Sequence, residues 1–269
     1  MVFPFRNILF PDDLVNAQAA LKYATAFAQH GNGHVVSFNV QDAKTELASK
    51  IAQAAIDHDI DLITVTTRDR SRLTRAFGSS LAEDIIAESP CAVLAIRPPQ
   101  RDFVNEQSEI QLRRVLLATN FRPSSVAATQ LATQMANQLG AELHAVYVIG
   151  DYFEQISAMF PEGGLAALTR LRSYVQERMG HLSRGGAGTS THIAEGRPYQ
   201  EIVKLAETLD ADLIVIGTAV HGSLFGSSQV LGSEIERVIR NAPCPVLCVP
   251  AARVVTPLPA LVTQIVPQT

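Results

Sequence analysis

The sequence is poor in cysteine, and its cysteines lack the spacing of a disulfide framework or a zinc site. Only three occur among the 269 residues, at Cys91, Cys244 and Cys248. Two of them precede a terminal apolar run and the third lies inside one, so we interpret all three as small core residues. Carboxylates and histidines show no metal-ligand spacing either. We therefore expect neither a metal centre nor a disulfide-stapled fold.

The sequence also lacks a basic excess and any long apolar run. Its formal net charge is −4, which gives no basic footprint for nucleic acid. No apolar stretch is long enough to span a bilayer, and residues 1–10 show no signal-peptide pattern. With 47% hydrophobic and 18% charged residues, the composition suits a globular protein with ample core. We expect a cytoplasmic protein that binds neither nucleic acid nor membranes.

Common catalytic signatures are missing as well. The sequence has no Walker A motif, no G-x-G-x-x-G after a first strand and no G-x-S-x-G nucleophile elbow. It places no general base beside a nucleophile. We therefore do not expect an efficient enzyme.

What the sequence does contain is a repeat of strand and helix patterns. The apolar run at residues 7–13 resembles that at 115–120, and residues 60–65 resemble 211–216. A further segment, residues 80–96, matches 233–249. Continuous apolar strands that alternate with helical patterns are typical of parallel sheets covered on both faces. The repeat therefore predicts tandem α/β domains.

The two halves differ in the middle. In the second half a long helical region at 155–181 and a strand at 189–194 follow the strand at 142–149. In the first half the strand at 34–40 meets the next helix, 43–58, almost directly. The first domain should therefore have about four strands and the second five. We divide the chain into a shortened domain (1–97), a linker (98–112), a complete domain (113–250) and a proline-rich tail (251–269), which is either a loose terminus or an arm that packs on a partner.

A candidate phosphate cradle lies in the second half. The apolar strand at 212–216 runs into Gly217 and on to Gly222, and Gly232-Ser233 opens the next helix. Glycines let the backbone approach an anion, and the first turn of a helix offers unpaired N–H groups. Ser233 and Glu236 also fit an S-x-x-E capping box. The alternative is an ordinary strand-to-helix loop whose glycines only satisfy turn geometry.

Two details bear on this cradle. His221 lies beside Gly222. It could pair with a phosphate or act as an acid or base near neutral pH; the alternative is that it has no functional role. In the first half, residues 66–70 replace the glycine loop, and Ser79 stands at the position of Gly232. We interpret the first-half site as degenerate.

These residues resemble the universal stress protein family, as a tandem two-domain member, over residues 7–98 and 113–250. The nucleotide-binding members of that family carry G-x2-G-x9-G-[ST]. Gly222-x9-Gly232-Ser233 matches the second part, while Ala219 stands where the leading glycine is expected. The family also has an aspartate at the end of its first strand. Asn120 takes that place in the second half, and Asp13 keeps it in the first.

The resemblance implies a fold and a site. The fold is an adenine nucleotide alpha hydrolase-like pair of open, mainly parallel five-stranded-type sheets in the order 3-2-1-4-5, the first shortened to about four strands. Ligands of such sheets bind at the switch point, beyond the carboxyl ends of the strands. The resemblance places ATP, or AMP or ADP, at the second-half switch point, with Mg²⁺ held through the phosphates. The implied nucleotide-binding residues are Ala118, Thr119, Asn120, Val148, Gly217, Thr218, His221, Gly222, Gly232, Ser233 and Glu234. Among them, Thr119, Asn120 and Val148 would border the adenine or ribose. Gly217, Gly222, Gly232, Ser233 and Glu234 would offer donors to the phosphates.

For function, the resemblance implies a stress-response protein that acts as a nucleotide-dependent sensor or regulator. The alternative is a nucleotide-free dimerisation or interaction module. Slow ATP hydrolysis or autophosphorylation is compatible with the resemblance, whereas a ligase or transferase would need a second substrate site that is not visible. We also expect the two domains to pair within the chain through their last strands, 92–97 and 246–250. Whether whole chains also form a homodimer is left open by the sequence.

Overall fold

The computed structural model describes residues 3–12, 17–39, 46–67, 81–150, 161–185, 189–218, 221–222 and 229–251. The first half contains β1 (Asn7–Pro11), α1 (Ala17–Gly31), β2 (His34–Phe38), α2 (Leu47–Asp57), β3 (Leu62–Thr66), α3 (Leu81–Glu88) and β4 (Ala92–Ile96). The second half begins with β5 (Arg114–Ala118), α4 (Pro123–Leu139), β6 (Glu142–Gly150), α5 (Pro161–Gly185) and β7 (Thr189–Gly196). It continues with α6 (Pro198–Thr208), β8 (Leu213–Thr218), the two-residue strands β9 (His221–Gly222) and β10 (Gln229–Val230), α7 (Ser233–Asn241) and β11 (Val246–Pro250).

Nine of these strands form a single sheet in the order β2-β1-β3-β4-β11-β8-β5-β6-β7. If the strands of the second half are numbered 1 to 5 in chain order, their order in the sheet is 3-2-1-4-5. The first half has the same order without a counterpart of strand 3. The predicted fold class, with four strands in one half and five in the other, is confirmed. The sheets of the two halves are joined edge to edge through β4 and β11, the last strands of the halves, which were expected to pair.

The junction between the halves is the one antiparallel pairing of this sheet. Leu94 of β4 lies opposite Leu247 of β11, and Val93 lies opposite Cys248. Both strands are buried along their whole length. Pairing them satisfies backbone groups that would otherwise form two open sheet edges.

Helices cover both faces of the sheet and create two core layers. On one face α1, α4 and α5 pack over a cluster that includes Phe27, Leu117 and Met135. On the other face α2, α3, α6 and α7 pack over a second cluster that includes Ile51 and Val238. Each cluster draws residues from both halves, so the sheet and its two layers form a continuous core.

The segment between the halves, residues 98–112, packs as a strap over α1. The side chain of Phe103 is 2% exposed. Its ring meets the rings of Tyr23 and Phe27 edge-on, with centroids 4.9 and 6.2 Å apart. Arg101 of the strap donates to the Asp210 carboxylate and to the carbonyl of Ala211 in the second half. The strap therefore contributes core contacts to one half and polar contacts to the other.

The side chain of Asp102, a residue of the strap, holds the strap to α1. The Asp102 side chain accepts hydrogen bonds from Lys22 and from the hydroxyl of Tyr23, the latter at 2.7 Å. Burial by itself would raise the pKa of Asp102, but bonds from Lys22, the Val104 amide and Tyr23 outweigh it and lower that pKa. Burial and the same carboxylate raise the pKa of Tyr23 well above its ordinary value.

One aspartate in each half ties the central strands together in the same way. Oδ2 of Asp61 accepts from the amides of Arg6 and Asn7, both at 3.0 Å. Oδ2 of Asp212 accepts from the corresponding pair of amides, those of Arg113 and Arg114, at 2.9 Å. The repeat seen in the sequence is therefore also a repeat of polar contacts.

The cysteines are buried and free, which confirms their interpretation as core residues. Burial raises the pKa of both Cys244 and Cys248 to about 12. These thiols therefore stay protonated and unreactive. Among the helices in the described part of the chain, none combines the length and apolarity needed to cross a membrane.

Candidate functional site

The predicted site residues converge on the carboxyl edge of the second-half strands. β5 and β8 are neighbours in parallel register, with Ala118 opposite Ile216. Thr119 and Asn120 follow β5, and Gly217 and Thr218 end β8. The strand order reverses between β5 and β8, and this is where open α/β sheets place their ligands.

Asn120 begins a tight turn into α4. Its Oδ1 accepts from the amide of Arg122 at 3.0 Å and from the hydroxyl of Ser125 at 2.6 Å. Ser125 Oγ in turn accepts from the amide of Asn120 at 3.2 Å. Phe121 adopts a left-handed φ of 58°, and its ring stacks on Tyr147 with centroids 5.2 Å apart. The turn is thus held by polar contacts on one side and an aromatic anchor on the other.

Gly217 is required by the fold itself. A Cβ at this position would lie 2.2 Å from the carbonyl oxygen of Ser124 and 3.0 Å from the amide of Ser125. Because α4 begins so close to the end of β8, only a residue without a side chain fits. This close approach of two backbones explains the glycine without a ligand.

Thr218, the next residue, presents a buried hydroxyl at the same edge. Its side chain is 2% exposed, and its Oγ1 has no hydrogen-bond partner within the described part of the chain. Thr67, at the corresponding position of the first half, has the same property and is 7% exposed. Buried hydroxyls are nearly always satisfied in native proteins, and each of these edges holds one that the described residues leave without a partner.

Gly232 caps the start of α7 and contrasts with Gly217. Its φ of −64° and ψ of 135° suit any residue. Among the described atoms, a Cβ here would meet only Cδ1 of Ile235, at 3.9 Å. Neither backbone conformation nor packing within the described chain accounts for a glycine at this position.

The first turn of α7 is open at its backbone. The carbonyl of Gly232 accepts from the amides of Ile235 and Glu236 at 2.9 and 3.2 Å. The amides of Ser233 and Glu234 have no acceptor among the residues described. The predicted capping box is wrong: Ser233 is the first helical residue, Gly232 is the N-cap, and no side-chain cap is present among the described residues. The missing cap leaves amides that a capping side chain would have used.

Glu234 joins the start of α7 to the start of α6. Its Oε2 accepts from the amide of Tyr199 at 3.1 Å, and its Oε1 accepts from Arg237, also at 3.1 Å. The Arg237 guanidinium lies over the Tyr199 ring, 5.3 Å from its centroid. The Glu234 carboxylate therefore has partners within the protein, and the group of Glu234 left for a ligand is its backbone N–H.

Val148 belongs to an apolar wall beside these polar groups. It is partly buried near the end of β6 and packs on the core layer beneath α6 and α7. Ala194, Tyr199 and Ile235 contact the same layer, and Ala118 is buried in it. The wall and the amides of Ser233 and Glu234 give this edge an apolar part and a part that carries hydrogen-bond donors.

The remaining predicted residues are placed only in part. His221 and Gly222 form β9, which pairs with β10 in antiparallel register, and the His221 side chain lies outside the described residues. Ala219, Asp13 and residues 68–80 also lie outside them. The described residues hold no group of three side chains able to bind a metal ion.

Three residues that shape this edge were absent from the sequence-based prediction. Ser125 orients Asn120, Phe121 anchors the turn, and the Tyr199 amide donates to Glu234. The Asn-Phe-Arg-Pro order before α4 is a turn signal that could have drawn attention to the first two. No local pattern indicates the contact between Tyr199 and Glu234, because the two residues lie 35 positions apart in sequence, on different helices.

Comparison with known proteins agrees with this fold. The family model described as "Universal stress protein family" matches residues 43–97 and 111–250. A universal stress protein of Methanocaldococcus jannaschii is 34% identical over 167 residues, which cover 58% of this chain and 93% of that protein.

Solved structures show the same architecture. The crystal structure of a universal stress protein from Archaeoglobus fulgidus superposes with a TM-score of 0.62 at 19% identity, covering 91% of this chain and 98% of that one. A functionally unknown Pseudomonas aeruginosa protein gives a TM-score of 0.66 at 20% identity, covering 93% and 94%. At these identities the likeness speaks to the fold, while the family match spans both halves. The chain belongs to the universal stress protein family.

Proposed function

We propose that this stress protein binds ATP, or AMP or ADP, at the carboxyl edge of its second half and acts as a nucleotide-dependent sensor or regulator. The observation that carries the proposal is Gly232. It is a glycine that neither its backbone angles nor its described neighbours require, at the uncapped start of a helix. A ligand that approaches the backbone closely would account for a missing side chain at this helix start.

The open amides of α7 favour an anionic ligand. Ser233 and Glu234 point unpaired N–H groups out of the first helical turn, where the helix dipole is positive. An anion at such a position gains about 0.3–1 kcal/mol from the dipole alone. Side-chain bulk at Gly232 would fill the approach to these amides. We assign the phosphates to this turn, with Gly222 and His221 on the loop that precedes it.

The neighbouring groups suit the rest of a nucleotide. The buried hydroxyl of Thr218 would gain a hydrogen-bond partner from the ligand, which removes a penalty of about 1–3 kcal/mol for an unsatisfied buried group. The apolar wall at Val148 and the turn at Thr119 and Asn120 would border the base and ribose. Mg²⁺ would take its ligands mainly from the phosphates, since carboxylate ligands for it are not grouped here in the described residues.

Binding, not turnover, is the function proposed. The Glu234 carboxylate already joins the starts of α6 and α7 through Tyr199 and Arg237, and no nucleophile lies beside it among the described residues. A nucleotide bound to the folded state alone would stabilise it by about 2.7 kcal/mol at a hundredfold excess over Kd. When one conformation or assembly binds the nucleotide more tightly, a rise in nucleotide concentration increases the population of that state.

The test is calorimetric titration of the full chain with ATP and Mg²⁺. The parent should bind one nucleotide, and Gly232→Val should abolish binding while its circular dichroism spectrum and Tm stay like those of the parent. Ser79→Val, which puts the same side chain at the corresponding first-half position, should bind like the parent. If both variants bound nucleotide normally, the site would be wrongly placed. A parent that binds no nucleotide would favour the nucleotide-free interaction module.

A further inference from the structure

The helix that opens the proposed site is too short to fix its own position. α7 has nine residues, and helices shorter than about 12–15 residues are only marginally stable on their own in water. The position of its open first turn is therefore set by the contacts that α7, and the residues just before it, make with the rest of the fold. Those contacts come from both halves of the chain.

The second half holds α7 at its first turn and along its buried face. Glu234 accepts from the amide of Tyr199 at the start of α6. Val238 and Ile239 are buried in the core layer beneath the two helices. These contacts place α7 against α6 and the sheet.

The first half holds the residues that lead into α7. The backbone of β10 lies against α3, a helix of the first half. Leu231, between β10 and Gly232, is 5% exposed and belongs to the same core cluster as Ile85 of α3. The segment that enters the open turn therefore packs on the first half.

The first half also holds the far end of α7. Arg240, in the last turn, donates through Nε and Nη2 to one carboxylate oxygen of Glu83 on α3. The Glu83 side chain is almost fully buried, whereas that of Arg240 is 53% exposed. α3 thus contacts the chain on both sides of the open turn, at β10 before it and at Arg240 after it.

This contact runs in one direction only. Residues 80–96 match residues 233–249 in the repeat, so Arg240 corresponds to Ala87, and an alanine cannot form the reciprocal ion pair. The same alignment places Ser79 at the position of Gly232. The half that keeps the glycine is therefore also the half whose helix carries the arginine, and the other half supplies the carboxylate.

We infer that Glu83 of the first half is a positioning residue for the nucleotide site of the second half. The inference rests on the proposed function and gives the first half a part in it. Glu83 holds α7 through Arg240, and α7 carries the amides of Ser233 and Glu234, to which the phosphates are assigned. A turn that is already fixed binds an anion more tightly, because a ligand that must first order the turn loses binding free energy. Nucleotide affinity then depends on the contact between the halves, and by linkage the nucleotide strengthens that contact.

Calorimetric titration of the full chain with ATP and Mg²⁺ tests this role with a change confined to the first half. Glu83→Ala removes the acceptor and leaves every residue of α7 in place, and the exposed Arg240 guanidinium can be hydrated instead. The Kd for ATP should rise by about threefold to tenfold. Glu83→Gln keeps an oxygen that accepts from Arg240 and should restore part of the affinity. An unchanged Kd in Glu83→Ala would overturn the inference while leaving nucleotide binding intact.

Glu88→Ala is the matched control, because it removes the same side chain from the same helix. Glu88 accepts from the hydroxyl of Ser49 on α2, so this contact lies within the first half. The Kd of Glu88→Ala for ATP should equal that of the parent. An equal loss of affinity in both variants would show a general effect of loosening α3 and would contradict a specific role of Glu83.

Hydrogen exchange of the ligand-free protein separates the positioning role from nucleotide binding. The amides of Ile235 and Glu236 donate to the Gly232 carbonyl in the first turn of α7. They should exchange about threefold to tenfold faster in Glu83→Ala than in the parent or in Glu88→Ala. Unchanged exchange would contradict the inference whether or not ATP binds. Faster exchange in a chain that binds no nucleotide would remove the proposed function and leave α3 as the element that holds the open turn.

Discussion

Arg240 of α7 forms an ion pair with Glu83 of α3 across the junction of the two halves. Nη2 and Nε of Arg240 lie 2.7 and 2.8 Å from the same Oε1 of Glu83, whose side chain is 3% exposed. Glu83 and Glu236 occupy corresponding positions in the repeat, and Glu236 lies 3.7 Å from the same guanidinium. Ala87 corresponds to Arg240, so the second half alone supplies the cation. The halves are joined by this pair as well as by the β4–β11 pairing.

Replacing Arg240 tests whether the pair stabilises the junction. Arg240→Ala should lower the free energy of unfolding by about 1–3 kcal/mol, because the nearly buried carboxylate of Glu83 loses the cation facing it. Urea denaturation followed by circular dichroism gives this difference. Lys204→Ala removes an exposed partner of Glu201 and should cost less than about 0.5 kcal/mol. Equal effects of the two substitutions would show that the junction pair contributes no more than a surface pair.

Glu236 makes the junction sensitive to pH. Burial, aided by the charge of Glu83 and opposed by Arg240 and Arg237, raises its pKa above the ordinary value of 4.5. The folded state therefore binds this proton more tightly than the unfolded state, and stability falls as pH rises from the ordinary pKa through the raised one. Glu236→Gln should raise the Tm at pH 7, and the gain should vanish below the ordinary pKa. A lower Tm at pH 7 would mean that the charged form is favoured in the fold.

Gly217 and Gly232 should respond differently to the same substitution. Gly217→Ala places a methyl group 2.2 Å from the Ser124 carbonyl oxygen and should cost at least about 1–3 kcal/mol through overpacking. Gly232→Ala has room and an ordinary φ. The stiffer unfolded chain should gain about 0.4–1 kcal/mol, which offsets the loss of a favoured N-cap residue, so the net change in stability should be smaller than about 1 kcal/mol. Denaturant titration compares the two directly. Comparable losses would mean that Gly232 is also a structural glycine, which would remove the main support for the ligand.

The strap should behave as core and not as a linker. Phe103→Ala removes a buried ring between Tyr23 and Phe27 and should cost about 3–5 kcal/mol. Glu106→Ala, at an exposed strap position, should change stability by less than about 0.5 kcal/mol. Both are measured by denaturant unfolding. A small loss in Phe103→Ala would show that the strap packs only loosely.

The strand order and core were predictable because they rest on local apolar patterns repeated in each half. Residues 62–66 and 213–218 are buried runs that a pattern of continuous apolar residues identifies. The partners of the strap and of Arg240 were not predictable, since the contacts of Arg101 and Glu83 join residues more than 100 positions apart. The assignment of the nucleotide-binding residues stays a prediction. Which of its glycines the fold requires depends on how closely β8 approaches α4, and no sequence spacing expresses that distance.

Native mass spectrometry of freshly purified protein tests the central claim most directly. We predict one adenine nucleotide per chain, retained in Ser79→Val and absent from a folded Gly232→Val. A parent chain that carries no nucleotide, and whose Tm does not move at millimolar ATP and Mg²⁺, would contradict the account. It would mean that the open helix start at Gly232 serves a partner other than a nucleotide.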